Sequence, residues 1–242
     1  MSGATCYCVS RMRLSYLLPL LALLGCSGRP TPAASLPSAP HRVLILGDSI
    51  SIGYTPFVRE MLADTATVVR PMVANGGKAE NCAGTNYGKD QIERWLQLEG
   101  GAFDVIHFNF GLHDLKHINP QTGNNSNDPI HPHQAKLRNY TAQLRSITQE
   151  LQASGAQLIF ATTTPVPDGD LRPFRDPEDV VRYNAAAWGV MSDLGIPIND
   201  LYNFALPRLT EIQHPANVHF TAEGSRLLAE RVAQGIRVLS GH

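Results

Sequence analysis

The sequence predicts an α/β chain, a three-layer α/β/α sandwich around a five-stranded parallel sheet. Three observations predict it. From residue 42 onward, short apolar runs alternate with stretches of helical periodicity. Each run is a continuous hydrophobic stretch rather than an alternation, the pattern of a strand covered on both faces. Capping residues and Gly or Pro separate the runs. A chain of 242 residues is also long enough to bury one substantial core without disulfide support.

In order, Arg42–Gly47 (RVLILG) is the first strand, closed by its glycine. Thr55-Pro56 supplies an N-cap and a proline at the first helical position, followed by Phe57, Val58, Met61 and Leu62 on one face. Ala66–Arg70 is the second strand, and residues 86–98 carry Ile92, Trp95 and Leu96 at helical spacing. Phe103–Phe110 (FDVIHFNF) is the third strand, followed by a polar loop to residue 133. Leu137, Tyr140, Leu144, Ile147 and Leu151 mark a long amphipathic helix. Ala156–Thr162 (AQLIFAT) is the fourth strand, Asp176-Pro177-Glu178 opens another capped helix, Ile196–Ile198 is a short fifth strand, and Thr221–Leu239 is the last helix. This order suits a doubly wound, flavodoxin-like sheet, in which ligands bind beyond the carboxyl ends of the strands. Chemistry is therefore expected after residues 47, 70, 110 and 162, and just before the last helix.

Charge is balanced, with 20 Lys+Arg against 21 Asp+Glu and a net charge of −1. That excludes the broad basic footprint of a nucleic-acid binder. Of the four cysteines, Cys6, Cys8 and Cys26 lie at the start of the chain and only Cys82 in the globular part, so no internal disulfide framework is expected. Residues 14–24 (LSYLLPLLALL), preceded by Arg11 and Arg13, are too short to span a membrane and suit the apolar core of a signal peptide. The stretch ends Leu23-Leu24-Gly25-Cys26, which resembles a bacterial lipobox. The resemblance implies a signal peptide over 1–25, lipidation of Cys26 and attachment to a membrane surface of the cell envelope. Met12 would make a conventional start for such a leader. Residues 26–41 hold the lipid cysteine and a tether with four prolines and no carboxylate. The folded domain is expected over 42–242.

At the expected strand ends stands a constellation. Gly47-Asp48-Ser49-Ile50-Ser51 puts a serine on the tight turn leaving a buried strand, where its hydroxyl is exposed and backbone N–H groups converge. Gly111-Leu112-His113-Asp114 follows the third strand. Asn217-Val218-His219-Phe220-Thr221 places a histidine just before the last helix, where it can take the Ser49 proton and return it to a leaving alcohol. Together these blocks resemble the SGNH, or GDSL-type, hydrolase family, from about Val43 to Gly224. The resemblance implies the SGNH hydrolase fold, with Ser49 as nucleophile and backbone oxyanion donor and His219 as base. It implies a glycine N–H donor, Gly84 in preference to Gly77. It also implies a third donor at His113, where the family usually has Asn, with Asn109 as fallback. The family's last block is Asp-x-x-His, but Ala216 stands three residues before His219. A backbone carbonyl, or a carboxylate from Asp200 or Glu211, is then expected to orient the imidazole. Asp48, Asp114, Arg172 and Arg175 are expected on the substrate rim, the two arginines within the proline-rich stretch TTTPVPDGDLRPFRD.

His113, His117, His131 and His133, with Asp114, invite a metal reading. Asn119-Pro120 and the Gly/Asn run argue loop, and no Cys or Glu completes a compact set, so no metal and no cofactor are expected. Cys82 is expected to be a bystander. The function expected is cleavage of an ester, a carbohydrate O-acyl (acetyl) ester first of all, with a small-molecule or glycan ester as substrate and no nucleic acid. Two other classes stand beside it, an acyltransferase and a catalytically silent glycan-binding lipoprotein on the same fold. The sequence leaves the oligomeric state open.

Overall fold

The structure, a computed structural model, describes residues 40–241 except Asn75. The signal peptide, the lipidation site Cys26 and all but the last two residues of the tether lie outside the described residues.

Five strands, β1 (His41–Leu46), β2 (Ala66–Val69), β3 (Val105–Phe108), β4 (Gln157–Ala161) and β5 (Ile198–Asn199), form one sheet. Their order is β2-β1-β3-β4-β5, all parallel, the doubly wound order expected. In register, Val43 lies opposite Val68 on one side and Val105 on the other. The reason for the apolar runs is visible in the burial: Val43–Leu46 and Val105–Phe108 are buried at every position, so both faces of the central strands are covered.

The helices are α1 (Ser49–Met61), α2 (Thr85–Leu96), α3 (Leu137–Ala153), α4 (Pro177–Leu194), α5 (Leu201–Ala205), α6 (Leu209–Ile212) and α7 (Ala222–Ser240). Helices α1 and α7 pack together over one face, and α2, α3 and α4 pack in a row over the other. Asp176 and Thr221 cap α4 and α7 as the sequence suggested, accepting from the backbone N–H of Glu178 and Gly224. The first helix departs from expectation. Its cap is Asp48, whose carboxylate accepts from Ile50 N at 2.9 Å, so α1 begins at the strand end and Thr55-Pro56 lies inside it. The Thr55 hydroxyl donates to the carbonyl of Ser51 instead of capping. The two short helices α5 and α6 were not foreseen, being too short to show a period.

His107 sits within β3 among these apolar residues. It is wholly buried, neither ring nitrogen has a hydrogen-bond partner among the described residues, and Tyr54 meets it edge-on at 6.1 Å. Burial lowers its pKa to about 3. The unfolded chain takes up this proton near pH 6.5 and the folded chain does not until about pH 3. Across that interval the unfolded state holds one proton more, so the term weakens the fold as pH falls, by about 1.4 kcal/mol per pH unit. His107→Leu should therefore shrink the loss of unfolding free energy between pH 7 and pH 5 by about 2 kcal/mol. Urea unfolding at the two pH values measures this, and an unchanged difference would refute it.

Candidate active site

The turn leaving β1 is held from beneath. Gly47 has no room for a side chain, because a Cβ there would lie 2.9 Å from Ser51 Cβ and Oγ. The buried guanidinium of Arg70, at the end of β2, donates to Thr55 Oγ1 at 2.9 Å and Ser51 Oγ at 3.3 Å. It also donates to the carbonyls of Glu80 at 3.0 Å and Gly47 at 3.4 Å. The N–H of Cys82 donates to the Gly47 carbonyl at 3.1 Å. Ser49, the first residue of α1, is left half-buried at the carboxyl edge of the sheet, near the positive end of the helix.

The second half comes from a tight hairpin before α7. Gln213 and Phe220 pair antiparallel, His214 N donates to the His219 carbonyl at 3.0 Å, and Asn217 N donates to the His214 carbonyl at 3.2 Å. Ala216, at the tip, has a left-handed φ of 48°. The hairpin is clamped to α7 at Gly224, where a Cβ would lie 2.1 Å from the Ile212 carbonyl.

This delivers His219 Nε2 to 2.9 Å from Ser49 Oγ. Its Nδ1 lies 2.7 Å from Asn217 Oδ1, and the backbone N–H of His219 donates to the same Oδ1 at 3.0 Å. A backbone N–H can only donate, so the shared atom is the amide oxygen. The ring then carries its proton on Nδ1, which leaves the Nε2 lone pair for the serine hydroxyl. Partial burial lowers the His219 pKa below its usual value, helped by the positive charge of Arg175 and by His214. The imidazole is thus a neutral base at neutral pH.

A cavity of about 520 Å³ opens over this pair, lined by Ser49 and His219 together with Asn81, His113, Arg172 and Arg175. Burial, with Lys116, Arg175 and His219 adding to it, lowers the His113 pKa to about 3, so His113 is a neutral imidazole in the cavity it shares with Ser49. Arg172 is exposed on the wall. Arg175 is buried, donates from Nε to the Leu112 carbonyl at 2.9 Å, and has its pKa lowered to about 10 by burial.

The structure does not bring the other expected residues to the cavity. Asn109 spends its amide N–H on the carbonyl of Ala161 at 2.8 Å. Gly84 caps α2 and is buried over Asp114 and Gln134, where a Cβ would come within 2.9 Å of each. It does not line the cavity, and Gly77 lies on an exposed turn. Asp48 and Asp114 are not on a rim. Both are fully enclosed, Asp48 as the cap of α1, and Asp114 accepting from Thr85 N at 2.8 Å and Thr85 Oγ1 to fix the start of α2. Burial raises the Asp114 pKa to about 7. Asp200 caps α5 and accepts from Thr162 Oγ1 at 3.0 Å, and Glu211 is exposed on α6. Both nitrogens of His219 are already engaged, so neither carboxylate orients it. The thiol of Cys82 is buried and pushed up to about 12, which makes it inert.

Two residues escaped the sequence reading. Asn217 lies two positions before His219, one nearer than the family's aspartate. An Asn side chain readily bonds a backbone N–H two residues on, and that local habit was the available signal. Asn81 reaches the cavity with its Oδ1 fixed by Ala83 N at 2.9 Å. Nothing in its sequence neighbourhood pointed to the site.

The model of the GDSL-like lipase/acylhydrolase family matches residues 45–227. No match was found among curated proteins. Among solved structures, a lipase/acylhydrolase from Enterococcus faecalis is similar at 19% identity and a TM-score of 0.63, over 82% of this chain and 96% of that one. An acetyl xylan esterase is similar at 15% identity and a TM-score of 0.62, over 81% and 99%. A carbohydrate esterase family 3 protein from Talaromyces cellulolyticus is similar at 17% identity and a TM-score of 0.59, over 84% and 99%. At these identities the likeness establishes a shared fold.

The amide at Asn217 has a consequence for pH dependence. Asn217→Asp keeps the acceptor and adds a negative charge, which favours the imidazolium and raises the His219 pKa. The acid limb of kcat/KM for 4-nitrophenyl acetate, expected below pH 6.5 in the parent, should move upward in the variant. A limb that stays in place would separate Asn217 from the titrating base.

Proposed function

We propose that this chain, which belongs to the GDSL-like lipase/acylhydrolase family, hydrolyses short acyl esters of hydroxyl-rich alcohols, carbohydrate O-acetyl esters above all, through Ser49 and His219. That it is an SGNH-type esterase follows from its family and fold. The observation that carries the finer reading is the unbroken chain Ser49 Oγ, His219 Nε2, His219 Nδ1, Asn217 Oδ1, open to a cavity of mixed polar and apolar lining.

In this reading Ser49 Oγ attacks the acyl carbonyl as His219 Nε2 takes its proton. The imidazolium is held by the Asn217 oxygen and then protonates the departing alkoxide. Water, activated by the same nitrogen, releases the acyl group from Ser49. The oxyanion is stabilised by the backbone N–H of Ser49, by His113 and by the Asn81 amide, whose Nδ2 is turned away from the oxygen that Ala83 fixes. His113 supplies its hydrogen bond as a neutral imidazole, so the bond does not depend on an added proton. Preference for a small acyl group and a polar alcohol rests on the polar side chains set into the walls, Asn81, Asp170, Arg172 and Asn217, beside the apolar Leu112, Leu171 and Val218. An acetyl xylan esterase among the similar structures agrees with it.

A fluorophosphonate probe tests the reading. The parent should label and should hydrolyse acetylated oligosaccharides, and Ser49→Ala should do neither. His113→Ala should still label but lose about 100- to 1,000-fold in kcat with little change in KM. A folded parent that neither labels nor hydrolyses would make the chain a silent binding module. Acyl transfer to a sugar acceptor in preference to water would make it a transferase.

The proposed location is the cell envelope, with lipidated Cys26 holding the domain on a membrane surface. Its support is the Leu23-Leu24-Gly25-Cys26 block behind a short apolar run, and among the described residues no helix is long and apolar enough to cross a membrane. Cys26→Ser should move the protein from the membrane to the soluble fraction, and continued membrane association would exclude the lipid anchor.

A further inference from the structure

Behind the cavity wall, the loop that carries His113 doubles back on itself. His117 and His133 face each other in an antiparallel bridge. Ile118 N donating to the Pro132 carbonyl at 2.9 Å and Gln134 N donating to the Lys116 carbonyl at 2.7 Å hold that bridge. Directly opposed residues present their side chains on one face, and the two imidazole centroids are 4.6 Å apart. Onto that face the first turn of α4 presents Asp179, whose side chain is 5% exposed. Its Oδ2 lies 2.7 Å from His133 Nε2, while Arg182 holds Oδ1. One ligand atom from each of His117, His133 and Asp179 lies within 4.8 Å of the other two.

An ion pair between His133 and Asp179 would account for two of these residues but not for His117. That residue is 5% exposed, its ring is covered by Phe174 at 4.9 Å, and among the described residues neither ring nitrogen reaches a partner in hydrogen-bonding geometry, although the main chain at His131 and Asp128 lies close enough to favour its charged form. An imidazole always offers a lone pair, an N–H or both, and burying both nitrogens unpaired is costly. We propose that His117, His133 and Asp179 form a binding site for one zinc-like divalent cation. Two imidazoles and one carboxylate are a donor set for a borderline first-row dication. Calcium and magnesium would call for oxygen donors, and copper(I) for thiolates. Tetrahedral ligands at zinc distances stand about 3.3 Å from one another, so small side-chain rotations close the set. On binding, the Nε2 proton of His133 leaves and the metal takes its place against Asp179. The His133 side chain, 27% exposed, leaves a side open to water as a fourth ligand.

The site joins the elements that build the cavity wall. His117 N donates to the Phe174 carbonyl at 3.1 Å and Phe174 N to the Ser126 carbonyl at 2.9 Å, so His117 is tied to the segment that carries Arg172 and Arg175. A metal there pins the loop to α4 and stiffens that wall without touching substrate. The inference is independent of the hydrolytic reading.

The test uses the full chain, stripped with chelator and titrated with Zn²⁺ by calorimetry, with metal analysis after gel filtration. Stoichiometric binding that falls by one equivalent in both His133→Ala and Asp179→Asn, and not in the neighbouring His131→Ala, is expected. At a hundredfold excess over Kd the thermal midpoint of the parent should rise by about 5–10 °C. That rise should be absent in the two variants. Full stoichiometry retained in both variants would place zinc elsewhere and overturn the proposal, as would a parent that binds none. Asp179→Asn preserves side-chain volume and carries the test alone if His133→Ala does not fold.

Discussion

The site depends on a buried cation with no carboxylate at hydrogen-bond distance among the described residues. Arg70 is 4% exposed, and its guanidinium is satisfied by two hydroxyls and two main-chain carbonyls that converge on the turn after β1. The planar fork of arginine can reach Gly47 and Glu80 with one nitrogen and Ser51 and Thr55 with the other, a task that a lysine point charge cannot share out in this way. Removing it would strand buried acceptors, each worth about 1–3 kcal/mol. It would also free the turn whose geometry aims Ser49. The strand end, the first helix and the Cys82 segment are one hydrogen-bonded unit because this group lies between them.

On that base the Ser49–His219 pair is backed by a neutral group. A carboxylate behind His219 would raise its pKa and stabilise the imidazolium, whereas the Asn217 amide fixes the tautomer and leaves the charge to be borne elsewhere. Arg175 adds a positive field that lowers the His219 pKa further, and burial holds His113 neutral. The same field favours a developing oxyanion in the cavity. The arrangement trades stabilisation of the imidazolium for a base that stays unprotonated at lower pH.

Much of the fold was legible because a parallel sheet buried on both faces must be written as continuous apolar runs; four runs became strands, and the fifth strand falls at Ile198–Asn199, shifted from the expected Ile196–Ile198. Thr55-Pro56 misled because the same residues that open a helix can sit inside one when an earlier cap, Asp48, is available. The site was legible where chemistry is local. Ser49 and His219 stand on turns whose character is set by neighbouring residues. It failed where a role depended on distance. Asp114 reads as a rim residue beside His113, yet successive residues point to different sides, and its carboxylate turns inward to Thr85. The histidines of the long loop looked like an incomplete set because their third partner, Asp179, belongs to a helix far along the chain.

By itself the sequence determined the layering, and it singled out Ser49 and His219, which the structure brings to 2.9 Å of each other at the carboxyl edge of the sheet. Each of these follows from periodicity or from a turn of a few residues. Only the tertiary structure decided what stands behind His219, which side chains line the cavity with Ser49, and which histidines gather round an acid. The reason is physical: such assignments turn on ångström distances between segments up to 170 residues apart, and a hydrophobic pattern fixes faces without fixing those distances.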